Sequence, residues 1–232
     1  MMMQLEEIYR ILLSNYGPQG WWPLTNLKGS NPTKTGSIRG YHPGEYSFPH
    51  DDAQRFEICV GAILTQNTSW PNVEKALISL CLAGALNSQN IIQMREDKLA
   101  ALIRPAGYFN QKSRKLRIFA KFFEKTKDPS REELLSLWGI GEETADSMML
   151  YAFRKPEFVV DAYTRRIFTR IGLLRSGTSN SEIKEFFEIS MTKEIETYQE
   201  FHALIVEHAK RYCLKKPRCD CCTLSTECLK LV

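Results

Sequence analysis

The chain has 232 residues, 43% hydrophobic and 25% charged, with a net charge of +4 at pH 7. That is the composition of an ordinary soluble globular protein, with enough apolar material for one large domain or two small ones. No apolar run reaches the roughly 20 residues that span a bilayer, and the mild positive charge permits a polyanionic partner without demanding one. The first segment, "MMMQLEEIYRILLSNYG", is acidic and amphipathic, unlike a signal peptide, so an intracellular protein is expected. Leu5, Ile8, Tyr9, Leu12, Leu13 and Tyr16 form one apolar helical face. A Gly/Pro/Ser-rich stretch without a period follows, from Gly17 to about Pro49. Asp51 and Asp52 can cap the next helix, "AQRFEICVGAILTQ", and Trp70-Pro71 opens another with proline in its first turn. "EDKLAALIR", "QKSRKLRIFAKFFEKT", "REELLSLW" and "EETADSMMLYAF" continue the series. After Pro156 the short run "EFVVDAY" leads into "TRRIFTRIGLL", and "SEIKEFFEISMT" and "TYQEFHALIVEHAKRYC" bring the chain to a cysteine-rich tail. The predicted fold is all-α.

"REELLSLW-GIG-EETADSMML" reads as helix, glycine turn, helix. Gly139 and Gly141 allow close approach of a phosphate to the main chain, and the free N–H groups opening the second helix suit an anion. Such contacts position a protein on DNA without reading sequence. An ordinary helix–helix turn has the same outline, but Leu137 before the turn and Thr144-Ala145 after it lengthen the match.

"LWGIGEETA", followed by "FVVDAYTRRIFTRIGL" and a terminal cysteine cluster, resembles the helix-hairpin-helix DNA glycosylases of the endonuclease III superfamily. The resemblance runs from about Phe56 to Cys228. It implies two helical domains with a cleft between them. Residues 53–155 would form a six-helix barrel with the hairpin at about 129–153, and residues 1–52 with 156–232 a second domain carrying a cluster loop at 213–228. It further implies that Asp161 is the catalytic aspartate, although the position before "AYTRRIF" also suits a helix cap; one carboxylate oxygen can serve each task. A fixed carboxylate would stabilise the oxocarbenium-like sugar cation and help orient water. Bifunctional members carry a lysine two residues after the second hairpin glycine, and here that position is Glu143, which cannot form a Schiff base. A monofunctional enzyme is expected. Glu142 reads as a solvated charge in the first turn.

"WWP", "GAILTQNTSWP", "RPAGYFNQKSRKL" and "GIGEETAD" together resemble the 3-methyladenine DNA glycosylases of that superfamily. This implies a base pocket of Trp21, Trp22, Trp70, Glu143 and Lys210, in which indole faces and a carboxylate attract a cationic alkylated purine. The modified lysine of that group aligns with Leu204. Asn67 and Tyr108 match the positions that fill the hole left by a flipped base and wedge the duplex. Together with Gly139, Gly141 and Thr144 they make up the expected DNA surface, and the long loop after Trp22 is expected to close over or border the pocket. Lys112, Arg114 and Lys115 would suit phosphates, as would any exposed basic helix face.

The tail "CLKKPRCDCCTLSTEC" spaces Cys213, Cys219, Cys222 and Cys228 as C-x5-C-x2-C-x5-C and leaves Cys221 over. Four thiolates satisfy either a [4Fe–4S] cluster or structural zinc. Resemblance to the endonuclease III tail favours iron–sulfur, although the first spacer is one residue shorter here. Lys215, Lys216 and Arg218 on that loop would meet phosphates.

The sequence thus points to a monomeric, cytoplasmic, nucleoid-associated enzyme that hydrolyses the N-glycosidic bond of a damaged base, most simply an alkylated purine, in double-stranded DNA. The alternatives are an endonuclease III-like enzyme acting on an oxidised pyrimidine, a deaminated or a mismatched base, with or without lyase activity, and a non-catalytic DNA-binding module.

Overall fold

Every helical period read from the sequence is a helix in the computed structural model, which describes residues 4–33, 39–226 and 228–231. In chain order these are α1 (Leu5–Tyr16), α2 (Asp52–Leu64), α3 (Trp70–Leu82), α4 (Ser88–Gln93), α5 (Glu96–Leu102), α6 (Phe109–Lys125), α7 (Arg131–Leu135), α8 (Glu142–Ser147), α9 (Ala162–Ile171), α10 (Asn180–Ser190) and α11 (Ile195–Arg211). No helix among the described residues is long and apolar enough to cross a membrane. Local chemistry accounts for many ends. Asp51 caps α2 by accepting from Gln54 N, and reciprocal capping boxes open α7 (Ser130 with Glu133) and α10 (Ser179 with Glu182). Gly172 closes α9 with φ of 99°.

Two details depart from expectation. The segment 142–153 is not one α-helix: α8 stops at Ser147 and a π-helical turn, Met148–Ala152, completes it. Helix α4 has no counterpart in the sequence pattern, because six residues capped by Asn87 are too few to show a period.

The helices pack in two groups. One is built on α2, which contacts α3, α6, α8 and the π turn, with α4 and α5 against α6. In the other, α1 and α9 pack on α11, and α10 touches α1. We assign these groups as the two helical domains; the π turn meets both α2 and α11, and one buried apolar cluster runs through them. A buried ion network braces the hairpin against the second group. Asp146 of α8 receives Arg131 Nε of α7 and Lys184 Nζ of α10, each at 2.6 Å.

The long segment before α2 is tied down by two buried carboxylates. Glu57 accepts from Thr25 N (2.5 Å) and Thr25 Oγ1 (3.0 Å), and Glu200 accepts from Gln19 N (2.6 Å) and Tyr46 Oη (2.9 Å). Burial pushes both carboxyls up, against these hydrogen bonds. The segment therefore belongs to the body of the protein and brings Trp21–Pro23 and Tyr41 together with Trp70 around a small niche; its residues 34–38, at the centre of the expected lid, lie outside the described residues.

Candidate active site

The buried run Phe158–Val160 ends at Asp161, which becomes the N-cap of α9. Its Oδ1 accepts from Thr164 N at 2.7 Å and Thr164 Oγ1 at 2.8 Å, so the cap predicted from sequence is present. Its Oδ2 is left toward His202, whose Nε2 lies 3.8 Å away. Only 9% of the Asp161 side chain is exposed. Burial alone would raise its pKa, but His202 and the Thr164 bonds outweigh it, and the carboxyl is held below its ordinary value. A cleft of about 540 Å³ opens on Asp161 and Glu143, with Arg165, Arg166 and Arg170 in its wall.

His202 carries no signal of its own in the sequence. It sits in a helix whose residues from Tyr198 to Ala209 are all buried, so a lone histidine there is indistinguishable from a core residue. In the fold it joins three site groups. Its Nδ1 lies 2.8 Å from Tyr151 Oη, its Nε2 faces Asp161, and Trp21 meets its ring edge-on at 5.6 Å.

Glu143 stands in the first turn of α8, at the cleft mouth. Surrounding protein and the Asp161 charge raise its pKa, and His202 opposes them. Glu142 is exposed beside it. Lys210 Nζ sits 5.9 Å from the Trp21 ring centre. Burial lowers the pKa of that amine, with Glu207 and Asp161 acting the other way. Trp21, His202, Asp161, Glu143 and Lys210 are thus coupled as one group.

The three tryptophans divide into different environments. Trp21 is half-buried at the cleft, whereas Trp22 is 5% exposed and lies edge-on to Trp70 at 5.2 Å, with Tyr151 also 5.2 Å away. Trp22 therefore packs largely in the core, beside Trp70 and Tyr151. Trp21, Trp22, Pro23, Tyr41 and Trp70 enclose a niche of only about 10 Å³, and the buried indole N–H groups of Trp22 and Trp70 have no acceptor among the described residues. A base could enter between these rings only if they part.

The expected DNA-facing elements lie at the turns of the first group. Asn67 is exposed with φ of 53°, and Tyr108 is 65% exposed with φ of 45°. Both hold left-handed backbone that few non-glycine residues adopt. Gly139 needs its φ of 85°, whereas Gly141 is extended at the start of α8 with open space around it. Thr144 has a buried side chain whose Oγ1 accepts from Gln66 Nε2 at 3.0 Å, so it braces the hairpin from within. Lys112 differs from expectation. Its Nζ is buried and donates to Leu64 O and Ala106 O, both at 2.8 Å, tying the end of α2 to the turn before Tyr108. Burial, with Lys115 nearby, pushes its pKa down to about 8. Lys115 donates to Gln66, and Arg114 remains exposed over the Trp138 ring at 4.5 Å.

At the far end of α9 and α11, Cys213, Cys219, Cys222 and Cys228 line one small apolar cavity with His208 and Arg170. Arg170 donates to Cys213 Sγ (3.3 Å) and Leu214 O (2.6 Å), and His208 Nε2 lies 3.5 Å from Cys222 Sγ. Among the described residues no three His, Cys, Asp or Glu side chains converge on a single-ion site. Cys221 is exposed and does not line the cavity, and Lys215, Lys216 and Arg218 are exposed on the loop.

Comparison with known proteins agrees with this geometry. Residues 60–191 match the model of the HhH-GPD superfamily base excision DNA repair proteins. A candidate DNA repair glycosylase of Methanocaldococcus jannaschii is 42% identical over 96% of this chain and 94% of its own length. The crystal structure of an H. pylori 3-methyladenine DNA glycosylase bound to 1,N6-ethenoadenine superposes with a TM-score of 0.69 at 28% identity, covering 90% of this chain and 98% of that one. A trapped endonuclease III–DNA covalent intermediate shares the fold, with a TM-score of 0.68 at 23% identity over 76% of this chain and 84% of that one. The chain belongs to the HhH-GPD superfamily of base excision DNA repair proteins and is a DNA N-glycosylase.

Proposed function

We propose that the enzyme releases alkylated purines, such as 3-methyladenine, from double-stranded DNA and leaves the abasic strand intact. The observation that carries this reading is that Glu143 and Asp161 line one cleft, with His202 facing Asp161 and meeting the Trp21 ring. Two carboxylates and an indole face favour a cationic base, and neither carboxylate can form an imine. The likeness to a glycosylase that holds an ethenoadenine supports the purine preference. The two buried indole N–H groups, without acceptors among the described residues, would gain partners from ring nitrogens of an inserted base.

In this mechanism Asp161 Oδ1 stays fixed by α9 while Oδ2 faces the sugar. As the N-glycosidic bond breaks, its electron pair leaves with the purine and neutralises the base cation. The carboxylate stabilises the positive charge left on the sugar, and water adds to C1′ and loses a proton. Asn67 and Tyr108 project from left-handed turns and would occupy the opened duplex. The amides that open α8, with Gly141 as N-cap, would receive a backbone phosphate.

The cysteine loop is read as the holder of a [4Fe–4S] cluster. Four thiols around one cavity, with Arg170 donating to Cys213 Sγ, match a polythiolate donor set. When bound, the cluster would fix the loop and its basic residues against DNA.

The deciding experiment is a panel of duplexes, each carrying one lesion, incubated with protein and assayed with and without alkali. Alkali-dependent breakage at alkylated purines is expected. Release confined to oxidised pyrimidines or deaminated bases would replace the substrate assignment, and breakage without alkali would replace the monofunctional one.

A further inference from the structure

We propose that His202, anchored by Tyr151, is a positioning residue for the glycosidic step: it holds the free oxygen of Asp161 toward the sugar. The inference rests on the reading of Asp161 as the catalytic carboxylate and adds a component that neither the motif nor the family match contains.

Three relationships carry it. Asp161 uses one oxygen wholly for capping, since Oδ1 accepts both Thr164 bonds. That anchor leaves the carboxylate free to rotate about the Oδ1 side unless something faces Oδ2. His202 Nε2 is the ring nitrogen that does so, at 3.8 Å, a close approach but too long for a direct hydrogen bond. The gap leaves room for Oδ2 to interact with a sugar cation, which a tight bidentate partner would prevent. Second, the imidazole is itself fixed. Tyr151 Oη lies 2.8 Å from Nδ1 and 3.0 Å from Gln199 O, so ring, phenol and helix carbonyl form one buried chain. Third, Trp21 meets the ring edge-on at 5.6 Å, which couples the same histidine to the cleft wall.

The groups around the pair come from several elements: His202 from α11 and Thr164 from α9 act on Asp161, and its cleft also carries Glu143 from α8 and Arg165, Arg166 and Arg170 from α9. Glu143 and Tyr151 each feel the Asp161 charge, and Lys210 does so from beside Trp21. His202 and the two Thr164 hydrogen bonds lower the Asp161 pKa, against the burial that raises it. Removing His202 leaves burial opposed by the Thr164 bonds alone, which moves the carboxyl toward the protonated acid. A protonated Asp161 could not stabilise the sugar cation.

The sign follows from this. Because the Asp161 carboxyl is held low, activity that needs its ionised form persists toward acid pH and is lost as pH falls through that value. Without His202 the loss begins at higher pH. A shift of one pH unit corresponds to a tenfold change in the ionised fraction on the acid limb, about 1.4 kcal/mol.

The test uses full-length wild type, His202→Gln, Tyr151→Phe and Asp161→Asn on dimethyl-sulfate-methylated duplex DNA, or on whichever duplex of the lesion panel the wild type processes. Single-turnover release is followed against pH, and affinity for a duplex with an abasic-site analogue is measured alongside. Expected for His202→Gln is an acid limb moved up by about one unit or more, a single-turnover rate lowered on the order of tenfold, and unchanged affinity. Tyr151→Phe, which keeps the ring but loosens its anchor, should move the limb in the same direction by less. Should His202→Gln fold poorly, Tyr151→Phe and the ¹³C titration of the Asp161 carboxyl in free protein still report the coupling. An unmoved acid limb and an unmoved carboxyl titration would overturn the inference. Full activity of Asp161→Asn would instead overturn the reading on which it rests.

Discussion

The side-chain amide of Gln66 donates to the carbonyl of Gly139 at 3.0 Å, joining the turn after α2 to the glycine hairpin. Gln66 also holds Thr144 Oγ1 and receives Lys115 Nζ, whose stem lies over Gly139. The glycine hairpin and the turn that presents Asn67 therefore share a brace.

The two hairpin glycines should consequently respond differently to substitution. A Cβ at Gly139 would meet Lys115 Cε at 2.5 Å on a backbone with φ of 85°, whereas one at Gly141 meets nothing within 4 Å. Gly139→Ala is expected to destabilise the protein by roughly 1–3 kcal/mol and weaken all DNA binding. Gly141→Ala should leave the melting temperature nearly unchanged and lower affinity for damaged and undamaged duplexes alike, because the weakened interaction is with backbone phosphate. Equal destabilisation by both, or an affinity change confined to one lesion, would contradict the assignment.

Asp161→Asn should nearly abolish base release while preserving fold and binding. Asparagine caps a helix about as well as aspartate, so Thr164 keeps its acceptor and only the charge disappears. Denaturant melts and binding to an abasic-site analogue, measured beside single-turnover release, separate the two roles. Wild-type turnover would show that Asp161 serves only as a cap.

The neighbouring tryptophans should separate stability from catalysis. Trp22→Ala removes a side chain that is 5% exposed and should cost roughly 3–5 kcal/mol of stability. Trp21→Ala, at the half-buried cleft wall, should cost much less stability but strongly reduce release of a cationic base, because both its aromatic face and its interaction with Lys210 are removed. Chemical denaturation with base-release assays on both variants distinguishes them; a reversed pattern would move the pocket wall to Trp22.

Borohydride should fail to trap a covalent adduct of the wild-type protein with lesion DNA, since the hairpin position holds Glu143 instead of an amine. Glu143→Lys is expected to slow release of a cationic purine, because an ammonium there repels the base. Lys210 tests the point further: burial lowers its pKa beside Asp161, making it the nearby amine to examine. Trapping in wild type that disappears in Lys210→Met would assign lyase chemistry to that residue and reject the monofunctional reading.

Purified protein should be yellow-brown and contain about four irons per chain. Cys213→Ala, Cys219→Ala, Cys222→Ala or Cys228→Ala should each remove the colour, while Cys221→Ser, outside the shared cavity, should retain it. Colourless folded protein with one zinc per chain would exclude the cluster. Exchange of Lys215, Lys216 and Arg218 for glutamine should reduce DNA affinity most at low salt.

The sequence was sufficient wherever the determining interaction is local. Apolar residues three and four apart mark the long helices, and Asp51 marks the start of α2, because a cap and an amphipathic face are set within a few residues. The glycine hairpin, Asp161 at the head of α9 and Glu143 in the lysine position are local in the same sense. Tertiary structure decided what depends on distant partners. Lys112 has the pattern of an exposed basic face, yet the carbonyls of Leu64 and Ala106 draw it inside; Thr144 turns toward Gln66, and Trp22 is covered by Trp70 and Tyr151. His202 reads as one more buried helical residue until the packing of α11 on α9 and the π turn sets it between Tyr151 and Asp161. Helical spacing marks α11 as a helix, whereas the role of a buried polar side chain within it depends on which atoms of other helices meet it there.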